Sequence, residues 1–286
     1  MTLLAVPNVS EGRSLSRVRG FAESITASGA RVLDVHSDAV HNRTVLTVTG
    51  PTTALEAAML ALCRTCSYID LTRHEGVHPR LGGLDVCPFV PHETTVAEAV
   101  AAAHRTGEVI HDRTGLPVFF YGNAARREAT RRLPDLRRGG LPALIKRAER
   151  ELPPDLGGAI DERRGVVCVG ARGPLIAFNV VLEAPMEVAR RVASGVRTST
   201  GGLPGVSALA FQLQGGRVQV SMNLSDPETT GIDRAFAEIA EQARREGASV
   251  VATEIVGIVP ERFLPKGEAA RLLLQPSRSL ESVLLD

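Results

Sequence analysis

Two histidines four residues apart, His74 and His78, lie in the run R-H-E-G-V-H-P-R, with Glu75 between them and Arg73 and Arg80 at its ends. Imidazole titrates near neutrality, so this run has the chemistry to move protons at physiological pH or to ligate a metal. H-E-G-V-H is also the string of zinc peptidases, which works only on a helix, where residues four apart share a face and reach one ion. The local sequence opposes a helix. Gly76 sits between the histidines, Pro79 biases His78 away from helical dihedrals, and Leu81-Gly82-Gly83 breaks the chain again. The run is therefore predicted to be a loop with no metal. A zinc hydrolase using His74, Glu75 and His78 is the weaker alternative, and a loop that the histidines merely hydrogen-bond together is the bland one.

The elements that must position this loop follow from hydrophobic periodicity. Leu3 to Val9 reads as a strand, and Ser14 to Ser28 as a helix closed by Gly29. Arg31 to His36 and Thr44 to Val48 read as an antiparallel strand pair around a polar turn. A helix opens at Pro51 and ends near Tyr68, and Leu84 to Val90 forms the strand after the loop. This order of strand, helix, strand, strand, helix, strand is the split βαβ arrangement. Thr94 to Arg113 is a further helix and Pro117 to Tyr121 a strand. The arginine-dense segment 123–156 carries interspersed acids and reads as a solvated face with short helices. From Val166 the order returns, with helices at 185–198 and 230–246 and strands at 166–181, 206–213, 218–224 and 249–256. The expected fold is α+β, two ferredoxin-like subdomains at 1–165 (with the basic linker region) and 166–286, each sheet covered by helices on one face.

Composition sets the limits. A chain of 286 residues with 44% hydrophobic and 23% charged residues has ample core for about two domains or one large one. A net charge of +1 gives no field to recruit nucleic acid or an anionic membrane, and 3% aromatics with no tryptophan removes the usual stacking platforms for single strands. No apolar run reaches the ~20 residues of a membrane span. The N-terminus M-T-L-L-A-V-P-N has neither a basic region nor a long apolar core, so the expected compartment is the cytoplasm. Four cysteines make no disulfide framework at this size. Cys63 and Cys66, a C-x-x-C at the end of an apolar helix, read as buried thiols, and Cys87 and Cys168 as core.

The run R-H-E-G-V-H-P-R-L-G-G-L-D-V-C-P-F-V-P resembles the signature of the formimidoyltransferases, which move a formimidoyl group from formimidoyl-glutamate to tetrahydrofolate. The resemblance continues in V-P-N-V-S-E-G-R from Val6, H-N-R-T-V from His41, F-F-Y-G-N-A-A-R from Phe119, G-A-R-G-P-L-I-A-F-N from Gly170 and V-S-M-N-L from Val220. It implies N- and C-subdomains without a cyclodeaminase domain, and substrates held in a groove between the subdomains. By resemblance His78 is the catalytic general acid/base, with His36, Asp38, His74 and Asp85 as supporting candidates and Asp70 as a further carboxylate able to orient the ring. A dicarboxylate donor needs cations, and Arg43, Arg73 and Arg80 suit it because guanidinium reads carboxylate bidentately; ion pairing within the protein is their alternative role. Asn8, Glu11 and Asn42 complete the expected donor site. The folate co-substrate would meet Asp155, Gly157, Gly158, Gly165 and Asn223. The expected partners are these small molecules and a second copy of the chain in a homodimer, with no nucleic acid and no membrane. The sequence departs from the family pattern at His36, where an acid is usual, and at Val40, Asn123 and 155–165. These departures leave a second reading open: a folate-binding relative with another one-carbon reaction, or none.

Overall fold

The computed structural model describes residues 2–77, 79–265, 272–274 and 279–285, so His78 lies outside it. Leu3–Ala5 (β1) and Asn8–Val9 (β2) form in place of one strand, because Pro7 has no N–H to give the ladder. Both pieces still pair with the same neighbours. α1 (Leu15–Thr26) buries Val18, Phe21 and Ile25, a helical stripe. β3 (Arg31–Asp38) and β4 (Arg43–Thr49) are an antiparallel pair in which Asp38 lies opposite Arg43. α2 (Thr52–Thr65) and β5 (Leu84–Pro91) flank the histidine loop. α3 (Val96–Thr114) starts at a Thr95/Glu98 capping box and ends at Gly115, whose φ of 69° is the left-handed stop that glycine allows. β6 (Val118–Gly122), α4 (Leu133–Leu136), α5 (Gly140–Ala148) and β7 (Val167–Ala171) follow.

The chain divides into two compact units, Met1–Arg172 and Gly173–Asp286. In the first, the strand order is β3-β4-(β1, β2)-β5-β7-β6, antiparallel up to β5 and parallel from β5 through β7 to β6. This corrects two expectations. Val167–Ala171 was expected to open the second unit, yet it is an interior strand of the first sheet. The first sheet also carries helices on both faces. Val118 and Phe120 point to the core beneath α1–α3, while Phe119 and Tyr121 point to a second core closed by Leu136, Leu141 and Leu144 of α4 and α5. Parallel strands are buried on both sides, so the arginine-dense segment must fold its leucines down over them rather than lie wholly in water.

The second unit orders β8 (Ile176–Glu183), α6 (Met186–Val196), β9 (Val206–Gln212), β10 (Val218–Leu224), α7 (Ile232–Arg245) and β11 (Ser249–Val256), with α8 (Leu280–Leu285) at its end. Its sheet runs β11-β8-β10-β9, antiparallel throughout. Val218, Val220, Met222 and Leu224 face the core with Ile232, Ala235, Ile239 and Ala243 of α7, so this sheet carries its helices on one face. All four cysteines are buried and free, and burial pushes the Cys63 thiol up to about 12. No described helix is long and apolar enough to cross a membrane.

Candidate active site

Strand alternation gathers several of the expected residues. In β4, Leu46 and Val48 face α1 and α2, so Arg43 and Val45 point to the opposite face. Cross-strand partners share a face, which places Asp38 beside Arg43, and His36 and Asn8 on either side of Val45. Asn8 is buried and donates from Nδ2 to the Val6 carbonyl at 3.0 Å. Between β2 and β5 the register slips, Asn8 pairing with Val86 and Val9 with Leu84, and the extra residue is Asp85. Asp85 is only 2% exposed. One carboxylate oxygen accepts Leu81 N–H at 2.7 Å and the other is ion-paired with Arg137 of the segment after α4.

Three loops meet at the edge of this face. Asn42 holds φ at 48°, a conformation asparagine tolerates, and its buried side chain clamps the other two. Its Oδ1 accepts Gly12 N–H at 3.0 Å, and its Nδ2 donates to the Glu75 carbonyl at 2.8 Å. The approach is close enough to require glycine. A Cβ on Gly12 would lie 2.4 Å from the Asp38 carbonyl, and one on Gly76 would lie 2.6 Å from the His41 carbonyl. Asn42→Ala loses both bonds and strains the backbone, and is expected to cost about 2–4 kcal/mol in urea unfolding. Asn42→Gly keeps the dihedral and is expected to cost less; equal stability of the alanine variant and the wild type would refute the clamp.

The described part of the histidine loop is not helical, so the string H-E-G-V-H does not present a metal-binding helix face. His74 Nε2 lies 2.7 Å from the Ser10 carbonyl, which can only accept, so this nitrogen carries the proton. Arg80 packs its guanidinium against the same imidazole, with Nη1 near both ring nitrogens. Burial together with the Arg80 charge holds the His74 pKa below its ordinary value. His74 is thereby tied to the loop frame. Among the described residues no group of three or more His, Cys, Asp or Glu is arranged to hold a metal.

Asp38 is bound to His41 through a 3.0 Å contact to Nδ1 and a 2.8 Å bond from the backbone N–H. Burial would raise its carboxyl, but the bonds from His41 outweigh burial and hold it at about 2. The unfolded value is near ~3.9, so this group's contribution to stability is present above that pH and is lost as pH falls through about 2. Asp38→Asn is expected to flatten the acid limb of the melting temperature between about pH 4 and pH 2. An unchanged acid limb in the variant would contradict the assignment.

Cations are concentrated at the same place. Arg43 is driven down to about 10, first by burial and next by the Arg137 charge, with Asp85 and Asp38 opposing. Arg80 is lowered chiefly by burial, with Asp85 opposing. Arg43, Arg80 and Arg137 therefore all lie near Asp85, with Asp38 beside Arg43, a concentration of cations suited to an anionic ligand. Arg137 was missed in the sequence because its segment read as a solvated face. The available signal was Leu136, Leu141 and Leu144, apolar residues set among the arginines.

Other expected residues are placed differently. Glu11 turns its carboxylate to the start of α1, accepting Arg13 and Ser14 N–H at 2.9 and 3.0 Å and pairing with Arg17 at 3.2 Å. Arg73 is exposed. Asp70 is occupied by Thr72 and by Arg163 at 3.0 Å. Asp155 accepts Phe120 N–H at 2.8 Å and pairs with Arg127 at 3.1 Å, closing the edge of β6. Gly157 and Gly165 hold positive φ, and Gly165 bridges to Gly82 at the base of the histidine loop. Gly158 has open space around it. Asn223 is exposed on β10 of the second unit, on the face away from α6 and α7.

Family models match both units, "Formiminotransferase domain, N-terminal subdomain" over residues 2–172 and "Formiminotransferase domain" over residues 177–278. The chain is 37% identical over 268 residues to the glutamate formimidoyltransferase of Streptococcus pyogenes serotype M1, covering 91% of this chain and 89% of that one. It is 38% identical over 269 residues to the glutamate formimidoyltransferase of Thermoplasma acidophilum, covering 91% and 88%. Against the formimidoyltransferase-cyclodeaminase of Gallus gallus it is 38% identical over 271 residues, covering 91% of this chain and 50% of that longer one. These matches define a transferase enzyme. The chain belongs to the formiminotransferase family.

Proposed function

We propose that the chain transfers a formimidoyl group from N-formimidoyl-L-glutamate to tetrahydrofolate, with His78 as general acid/base. The observation that carries this reading is the match of both family models across nearly the whole chain. The cation cluster supports it, because a dicarboxylate donor calls for guanidinium groups, and Arg43 and Arg80 are our choice to bind its carboxylates, with Asn8 and Asn42 shaping the donor end and Arg73 the exposed approach. The amine of tetrahydrofolate attacks the amidine carbon and forms a C–N bond, its proton passing to His78. His78 then protonates the glutamate nitrogen, and the old C–N bond breaks with the formimidoyl group on the folate. A group titrating near neutrality suits both transfers. His36, Asp38 and Asp85 support the loop around it.

Gly157, Gly158 and Gly165, whose segment Asp155 braces, are our candidates for folate contact, and Asn223 of the second unit is a further one. Tetrahydrofolate is a co-substrate here, and no metal takes part in the proposed step. We read both units as ferredoxin-like, supported by the order strand, helix, strand, strand, helix, strand in each. The same reading places the reaction in histidine breakdown, in the cytoplasm, carried out by a homodimer. Steady-state turnover with formimidoyl-glutamate and tetrahydrofolate tests it. No turnover, and no rise in melting temperature with millimolar folate, would refute it. Turnover absent but folate bound would favour the second reading, a folate-binding relative, which His36 in place of the usual acid motivates.

A further inference from the structure

Arg137 has no part in the reaction as proposed above, yet its ion pair leads straight to the histidine loop. Its guanidinium pairs with one oxygen of Asp85, and the other oxygen takes Leu81 N–H at 2.7 Å. Leu81 is fully buried, and its carbonyl accepts Val166 N–H at 2.8 Å. The next two carbonyls are also bound, Gly82 by the Ser10 hydroxyl at 2.8 Å and Gly83 by Ser10 N–H at 2.8 Å. The C-terminal base of the loop is thus anchored at successive residues, and only the Leu81 amide depends on a charged side chain. Asp85 is an extra residue in its strand and is buried, and without Arg137 its carboxylate would lose its direct ion pair, keeping only Leu81 N–H and the nearby charges of Arg43 and Arg80.

We propose that Arg137 is a positioning residue for the transfer reaction: through Asp85 it fixes the Leu81 amide and with it the C-terminal base of the histidine loop, Pro79 to Gly83. This rests on the formimidoyl-transfer reading. A proton-transferring loop tolerates little misplacement, since errors near 1 Å cost up to ~100-fold in rate. Because Arg137 acts through Asp85 on a loop that also carries Arg80, its loss should fall chiefly on kcat, with a smaller effect on donor binding.

The experiment compares Arg137→Gln and Arg137→Lys in the full chain, measuring kcat and KM for formimidoyl-glutamate well below each melting temperature, together with amide exchange of the 79–84 segment. Arg137→Gln is expected to lower kcat by roughly 10- to 100-fold with a much smaller rise in KM, and to speed exchange at Leu81 more than in β10. Arg137→Lys, which keeps a cation for Asp85, is expected to recover most of both. An Arg137→Gln protein with lower melting temperature but unchanged kcat per folded site would overturn the proposal, leaving a structural pair. A raised KM with unchanged kcat would also overturn it, making Arg137 a donor ligand. If the wild-type chain shows no formimidoyl transfer, that reaction fails, and the exchange arm still decides the anchor: unchanged exchange at Leu81 in Arg137→Gln overturns it.

Discussion

His78→Gln is expected to lower formimidoyl transfer by roughly two to four orders of magnitude while leaving folding and folate affinity nearly intact, the usual worth of a general acid/base. Glutamine keeps polar bulk but cannot exchange a proton near neutrality. The wild-type rate should depend on a group titrating near pH 7, and that dependence should vanish in the variant. His74→Gln is the control, and the structure sharpens what it should do. His74 is held between the Ser10 carbonyl and Arg80, so its replacement should loosen the loop and lower stability without erasing the pH dependence. If instead His74→Gln removes the neutral-pH ionisation and His78→Gln keeps it, the acid–base assignment is reversed.

The second large effect is on stability. Asp85→Ala removes the acceptor of the Leu81 amide and strands the Arg137 guanidinium in a mostly buried setting. Breaking one side of a buried ion pair costs about 3–5 kcal/mol, so urea unfolding should show a clear drop in midpoint at unchanged slope. Asp85→Asn retains an acceptor for Leu81 but not the charge, and should lie between the alanine variant and the wild type. A loss below about 1 kcal/mol for Asp85→Ala would mean that the pair is solvated, as surface pairs are.

Much of the fold was legible because it is local. The helix at 14–28, with its glycine stop at Gly29, and the helix at 230–246 are dictated by residues within a turn or two of one another. The non-helical character of His74 to Val77 belongs to the same class, since Gly76 and Pro79 act on their own backbone neighbourhood. The family was legible too, because its motifs are ordered strings.

What the sequence left to the tertiary structure are pairings between distant segments. Val167–Ala171 reads equally well as the first strand of a new unit or the last of an old one; parallel pairing with β5 and β6 decides it, and periodicity carries no information about partners. The arginine-dense segment looks solvated because charge is counted residue by residue, whereas its leucines are claimed by a sheet face that exists only once β5, β7 and β6 are assembled. Side-chain commitment is also non-local. Glu11, Asp38, Asp70, Asp85 and Asp155 are equivalent carboxylates in the sequence. In the fold Glu11 starts α1, Asp38 holds His41, Asp70 meets Arg163, Asp155 closes the β6 edge, and Asp85 alone joins Arg137 to the base of the histidine loop. Amino-acid type sets what a carboxylate can bind; which donor it receives is fixed by the elements that bring donors to it.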